Sequence, residues 1–137
     1  MRTRLLIALL AALTFLSGCG SDDTESQQIR ATELCDAHCE ETTKALDALQ
    51  ECLDAANTNC GTDVTKVGAA MVSPIRDEPD LPDEWTKLMD DFSDSTDSLR
   101  GGSCLSDGPA TDDCTTHVQE FHDAGKKLIG ALKDWAG

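Results

Sequence analysis

Two cysteines and a histidine form the densest cluster of reactive side chains in the chain. On a helix, Cys35, His38 and Cys39 share one face, because side chains three and four positions apart are neighbours. Zinc and copper accept thiolate and imidazole ligands, and His117 or His122 would supply a fourth. A disulfide is the competing use of the two thiols, and no second Cys or His pair has metal-ligand spacing. The cluster predicts a disulfide, with metal binding as the alternative, and we expect no resident metal or cofactor.

The spacing of these residues excludes several catalytic chemistries. A thioredoxin-like site needs Cys-x-x-Cys and covalent haem needs Cys-x-x-Cys-His, and the chain contains neither pattern. His117 and His122 are five residues apart, so they diverge on a helix, and neither belongs to a His-Glu-x-x-His motif. No Gly-x-Ser-x-Gly turn is present to place a nucleophilic serine. We therefore predict surface or boundary histidines in a protein that is not an enzyme.

Acidic segments give no calcium motif. Residues 94–99 lack the glycine and the late glutamate of an EF-hand loop. The acidic loop 77–84 is a candidate for weak calcium binding, and its prolines and solvation explain it equally well. We expect these carboxylates to form solvated surface.

The first 19 residues carry a targeting pattern. Arg2 and Arg4 precede an apolar run, Leu5 to Leu16, that is too short to span a bilayer. The run closes in Leu16-Ser17-Gly18-Cys19, with a small residue before the cysteine. This segment resembles the lipobox signal peptide of bacterial lipoproteins. The resemblance implies removal of residues 1–18 and lipidation of Cys19 with a diacylglyceryl group whose acyl chains are of the palmitate type.

The same resemblance implies a location. A lipoprotein is held by its lipid on the extracytoplasmic side of the cell membrane or, in a host with two membranes, of the outer membrane. Gly20 and Ser21 stand where an aspartate would resemble an inner-membrane retention signal of enteric bacteria. In a Gram-negative host this favours the outer membrane.

The rest of the chain divides into a tether and one domain. Residues 19–28 are polar without an apolar anchor, which predicts a lipidated flexible tether. Residues 29–137 suit a single small helical domain. The formal charge is −15, and removal of 1–18 takes away two arginines and no acid, which makes it −17. Such a charge disfavours nucleic acid as a partner and favours a solvated acidic surface, with high-salt adaptation and a cationic partner as the alternatives.

Apolar residues recur at helical spacing in four segments, and no segment alternates with period two. The predicted helices run over 29–56, from 62 or 63 to about 74, from 82 to Gly101, and over 113–136. A line of inward-facing residues at alternating spacings of four and three is called a seam here. The last helix has the most regular seam: Cys114, Val118, Phe121, Gly125, Leu128, Leu132 and Trp135. Trp85 and Trp135 fall on seams, which predicts core packing for both. The fold class is therefore an all-α, disulfide-braced, up-down-up-down four-helix bundle, with a three-helix core and a loose second helix as the fallback.

Six cysteines follow Cys19, and in an exported domain an even number predicts up to three disulfides. They are Cys35, Cys39, Cys52, Cys60, Cys104 and Cys114. The last four flank the first and third turns, which an antiparallel bundle brings to the same end, so 52–60 and 104–114 are the leading pairs and crossed pairs among the four stay open. At the other end, either 35–39 forms within one helix or the helix breaks near Glu40 and the two cysteines reach farther.

These observations favour a lipid-anchored extracytoplasmic lipoprotein that binds or interacts by presenting a helical surface at the membrane. Its partners would be the membrane, through the lipid on Cys19, and an envelope protein. The alternative is a metal-handling envelope lipoprotein that holds zinc or copper through Cys35, His38 and Cys39. A third hypothesis is surface exclusion of phage or another invader.

Overall fold

The computed structural model describes residues 21–55, 59–76, 83–105 and 111–137. Within these ranges all regular secondary structure is α-helical. The four helices are α1 (Ser21–Asp54), α2 (Gly61–Arg76), α3 (Asp83–Gly101) and α4 (Asp112–Ala136). This confirms the predicted all-α, four-helix fold with disulfide bracing.

Local signals at both ends fix the bounds of α4. Thr111 is the N-cap, with extended backbone, and its Oγ1 accepts a hydrogen bond from the Cys114 N–H. Two acids in the first turn and Lys133 in the last turn complement the helix dipole. Gly137 ends the helix with a φ of 90°, a value that favours glycine, and its N–H donates to the Lys133 carbonyl.

α1 and α4 form the central antiparallel pair of the bundle. Near one end, the hydroxyl of Thr32 donates to the carbonyl of Ala136, 3.3 Å away. α2 packs along α1, α3 packs along α4, and α2 also contacts α4. Among the described residues α2 and α3 scarcely touch, so the four helices do not close into a regular ring. The bundle is built outward from the α1–α4 pair.

All four helices meet at Gly125. A Cβ placed there would lie 2.9 Å from Leu46 Cδ2, 3.6 Å from Met71 Sδ and 3.7 Å from Phe92 Cε2. The rings of Phe92 and Phe121 lie beside this point with centroids 4.8 Å apart. The absent side chain of Gly125 is what lets α1 approach α4 so closely.

The second helix is a full member of the core, which removes the three-helix fallback. Val67 and Met71 of α2 are completely buried. The fully buried side chains come from every helix: Thr42, Leu46, Leu49, Val67, Met71, Trp85, Phe92, Leu99, Phe121, Leu128 and Leu132. The last residue of the predicted first helix, Ala56, lies outside the described residues.

The beginning of α1 differs from the prediction. α1 includes residues 21–28, so this part of the expected flexible tether is helical. No glycine or proline occurs between Ser21 and Asp54, so nothing in the chain stops the helix from continuing past its packed face. Residues 24–26 are exposed and polar, which is why their sequence lacks the apolar spacing that marks a helix. The signal peptide 1–18 and Cys19 lie outside the described residues.

None of the four helices, over the described residues, has the length and apolar content needed to cross a bilayer.

Candidate functional site

The cluster of Cys35, His38 and Cys39 contains a disulfide. Cys35 and Cys39 are bonded, with their Cα atoms 4.6 Å apart, and α1 continues through them without a break. The helix therefore does not open near Glu40, and the first of the two pairings considered is the one formed. Cys39 is buried, whereas Cys35 and His38 are half-buried.

This bond changes what the cluster can bind. A metal site at Cys35, His38 and Cys39 requires two thiolates, and the disulfide uses both sulfur atoms. Over the described ranges no group of three or more His, Cys, Asp or Glu side chains is arranged to hold a metal ion. The oxidised cluster therefore offers one imidazole and no thiolate.

The other two disulfides close the turns at the opposite end of the bundle. Cys52 is bonded to Cys60, and Cys104 is bonded to Cys114, which confirms both leading pairs. The two turns also lie against each other: a Cβ on Gly61 would be 3.5 Å from the backbone of Leu105. This confirms that the first and third turns share one end.

A small recess lies where these two turns meet. It has a volume of about 230 Å³, and Asn59, Thr62 and Leu105 are among the residues that line it. Leu105 is 41% exposed there, one of two large apolar side chains that stand out into solvent in the described part of the chain. A single exposed leucine is common on protein surfaces and does not by itself mark an interface.

The two histidines of α4 have different environments. His117 is partly exposed, and its Nδ1 lies 3.3 Å from a carboxylate oxygen of Glu120. His122 is only 2% exposed, so the prediction of a surface or boundary position is wrong for it. Its Nδ1 lies 3.3 Å from Asp123 Oδ1, and its Nε2 is buried without a hydrogen-bond partner.

The sequence does contain a signal for the burial of His122, but a strict heptad pattern does not include that position. His122 follows the seam residue Phe121 and precedes Gly125 by three positions, which places it at the edge of the apolar stripe. α4 packs against three helices, and so it buries a wider face than a two-position seam. Because its ring is buried in the core, His122 is not available as the fourth ligand of a metal site with Cys35 and Cys39.

The tryptophans support the bundle, as their seam positions predict. Trp85 is 1% exposed and lies in the core. Trp135 is half-buried, and its Nε1–H donates to Glu84 Oε1 at 2.7 Å, which ties the end of α4 to the start of α3. Both indoles therefore act in packing.

A second recess is a groove between α3 and α4, with a volume of about 400 Å³. Leu88 and Ala124 give it apolar surface, and Lys127 is the basic residue in its lining. Four carboxylates line it: Asp91, Asp94, Glu120 and Asp123. We call this recess the acidic groove. Sequence periodicity could not predict it, because it depends on which helices are neighbours.

Ion pairing modifies the rim of the acidic groove. Lys87 donates to Asp91 Oδ2 at 2.9 Å, and this hydrogen bond raises the pKa of the lysine above its usual value. On α1 a similar exposed pair forms between Lys44 and Glu40, where the shared hydrogen bond raises the pKa of the lysine and lowers that of the carboxyl. Exposed pairs of this kind contribute little to stability, so the acids are better understood as a charged surface than as braces.

Comparison of this chain with protein-family models, with curated proteins and with solved structures finds no match. The function has to be argued from the residues themselves.

Proposed function

We propose that this protein is an exported, lipid-anchored interaction module of the bacterial cell envelope. One observation carries the proposal: the three disulfides use every cysteine of the chain except Cys19, the residue that the lipobox assigns to lipidation. Disulfides persist in compartments on the far side of the cytoplasmic membrane. A lipobox and a fully disulfide-bonded domain therefore argue for the same compartment from independent residues.

The proposed location is the extracytoplasmic face of the cell membrane or the outer membrane. A lipid on Cys19 would hold the bundle at the surface by the beginning of α1, two residues before Ser21. Confinement to that surface raises the effective concentration of the domain around membrane-bound partners. The proposed role is binding by a positioned helical surface, without a catalysed reaction.

The acidic groove is the proposed binding surface. Its four carboxylates outnumber its one lysine, so its field favours a cationic segment of an envelope protein over an acidic one. Leu88 and Ala124 would give such a segment apolar contact between the charges. The overall charge of −15 acts in the same direction at longer range and disfavours nucleic acid.

In-cell photocrosslinking tests this role. A photoreactive side chain is placed at Asp94 in the acidic groove or, as a matched control, at Asp47, which is equally exposed on α1. We expect Asp94 to give a discrete crosslink to an envelope protein that Asp47 does not give. Replacing residues 1–19 with a signal peptide that is cleaved without lipidation should abolish the crosslink, because the unanchored domain loses its effective concentration at the membrane.

The outcomes separate the parts of the proposal. Equal crosslinks from Asp94 and Asp47 would reject the acidic groove as the surface. Crosslinks that survive in this unlipidated, cleaved form would reject the dependence on anchoring. Recovery of nothing above background would count against an interaction role.

A further inference from the structure

The three disulfides join different kinds of structure. Cys52–Cys60 links the end of α1 to the start of α2, and Cys104–Cys114 links the turn after α3 to the first turn of α4. Cys35–Cys39 instead lies entirely inside α1, with helix on both sides of it. It is the one disulfide of the described residues that connects no two elements of the fold.

Its contribution to the fold is correspondingly small. A disulfide stabilises largely by closing a loop in the unfolded chain, and the effect falls as the loop shortens. The sequence separation is 4 for Cys35–Cys39, against 8 and 10 for the other two. The ladder of α1 hydrogen bonds and the packing of Leu46 and Leu49 hold this helix in place whether or not the bond is present.

The two cysteines differ in exposure. Cys39 is 5% exposed and belongs to the core, whereas Cys35 is half-buried at its edge. An attacking thiolate must approach a disulfide sulfur from the solvent. The Sγ of Cys35, the more exposed residue, is therefore the atom that it attacks. Cys39 is then the leaving group.

We infer that Cys35–Cys39 is a thiol–disulfide exchange site, at which this protein trades electrons with a dithiol of another molecule while its fold stays intact. In the exchange, a partner thiolate bonds to Cys35 Sγ, the Cys35–Cys39 bond breaks, and Cys39 leaves as a thiolate that takes up a proton. The second partner thiol gives up its proton and attacks the mixed disulfide, which releases Cys35 as a thiol. The partner ends as a disulfide and two electrons have passed to this protein; the reverse reaction oxidises a partner dithiol.

This inference goes beyond the proposed binding role and does not depend on it. An envelope protein with no interaction partner could still carry an exchangeable disulfide, and a binding module could carry three inert ones. The reduction experiment below requires neither lipid nor acidic groove, so its failure would leave the proposed function standing.

Graded reduction of the mature full-length protein in detergent micelles tests the inference. The protein is equilibrated with mixtures of reduced and oxidised dithiothreitol, free thiols are alkylated, and each disulfide is quantified by peptide mass spectrometry. We expect Cys35–Cys39 to open at a lower ratio of reduced to oxidised reagent than either turn disulfide, with the helical circular dichroism unchanged. Opening of a turn disulfide first, or loss of helix as Cys35–Cys39 opens, would overturn the inference.

A pair of single substitutions tests which sulfur is attacked. Cys39→Ser leaves Cys35 as the free thiol, and Cys35→Ser leaves Cys39, so the two variants differ only in which position reacts. We expect Cys39→Ser to form a mixed disulfide with oxidised glutathione faster than Cys35→Ser, because Cys35 is the more exposed residue. Equal rates, or a faster Cys35→Ser variant, would contradict the assigned direction of attack.

Discussion

Phe92→Ala is expected to lower the free energy of unfolding by about 3–5 kcal/mol, a large part of the total for a domain of this size. The Phe92 ring is 1% exposed and packs against Phe121 with ring centroids 4.8 Å apart. Its loss removes apolar surface from the core and leaves a cavity where α3 meets α4. Urea unfolding followed by circular dichroism, with all disulfides intact, measures the change.

The neighbouring residue provides the control. Ser93 is exposed on the same turn of α3, so Ser93→Ala should change the free energy of unfolding by no more than about 0.5 kcal/mol. If Phe92→Ala were equally mild, Phe92 would not be part of a packed core and the described assembly of α3 on α4 would be wrong.

Gly125→Val is expected to destabilise the bundle by about 1–3 kcal/mol or more. A Cβ at Gly125 already lies 2.9 Å from Leu46 Cδ2, closer than real contacts allow, and valine adds two methyl groups. Leu46 is 1% exposed, so its side chain has little room to withdraw, and α1 must shift away from α4. The midpoint of thermal unfolding reports the loss.

Gly130 is the matched control because it lies in the same helix. A Cβ there meets no atom within 4 Å, so Gly130→Val should leave the unfolding midpoint unchanged or raise it, since glycine is the poorer helix former. A fall at Gly130 equal to that at Gly125 would show that the close approach of α1 to α4 at Gly125 is not what makes valine destabilising there.

Sequence spacing predicted the helices well where burial is one-sided. The α4 seam from Val118 to Leu132 is buried as expected, since a regular apolar stripe has one stable way to pack. Spacing failed at the margins of the apolar stripes of α4 and α3, where the polar residues His122 and Ser95, respectively, are buried. Their burial follows from how many helices surround each position, which a one-dimensional pattern does not contain.

The disulfides at the two ends of the bundle were predictable from the sequence to different degrees. Antiparallel topology alone places the first and third turns together and favours local pairing, and both turn disulfides are confirmed. For Cys35 and Cys39 the spacing allowed either a bond within the helix or a helix break, because the choice depends on whether α1 stays packed on α4 through this region. The helical start at Ser21 was missed for a related reason: an exposed helix needs no apolar period.

The central claim is that a disulfide-bonded helical domain is exported and anchored through a lipid on Cys19. Intact mass spectrometry of the protein extracted from membranes, without reduction, tests it most directly. The account predicts a chain that begins at Cys19, carries added acyl mass, and lacks the six hydrogen atoms removed by three disulfides. A chain that retains Met1, carries no acyl group and is recovered with free thiols from the cytosol would contradict it.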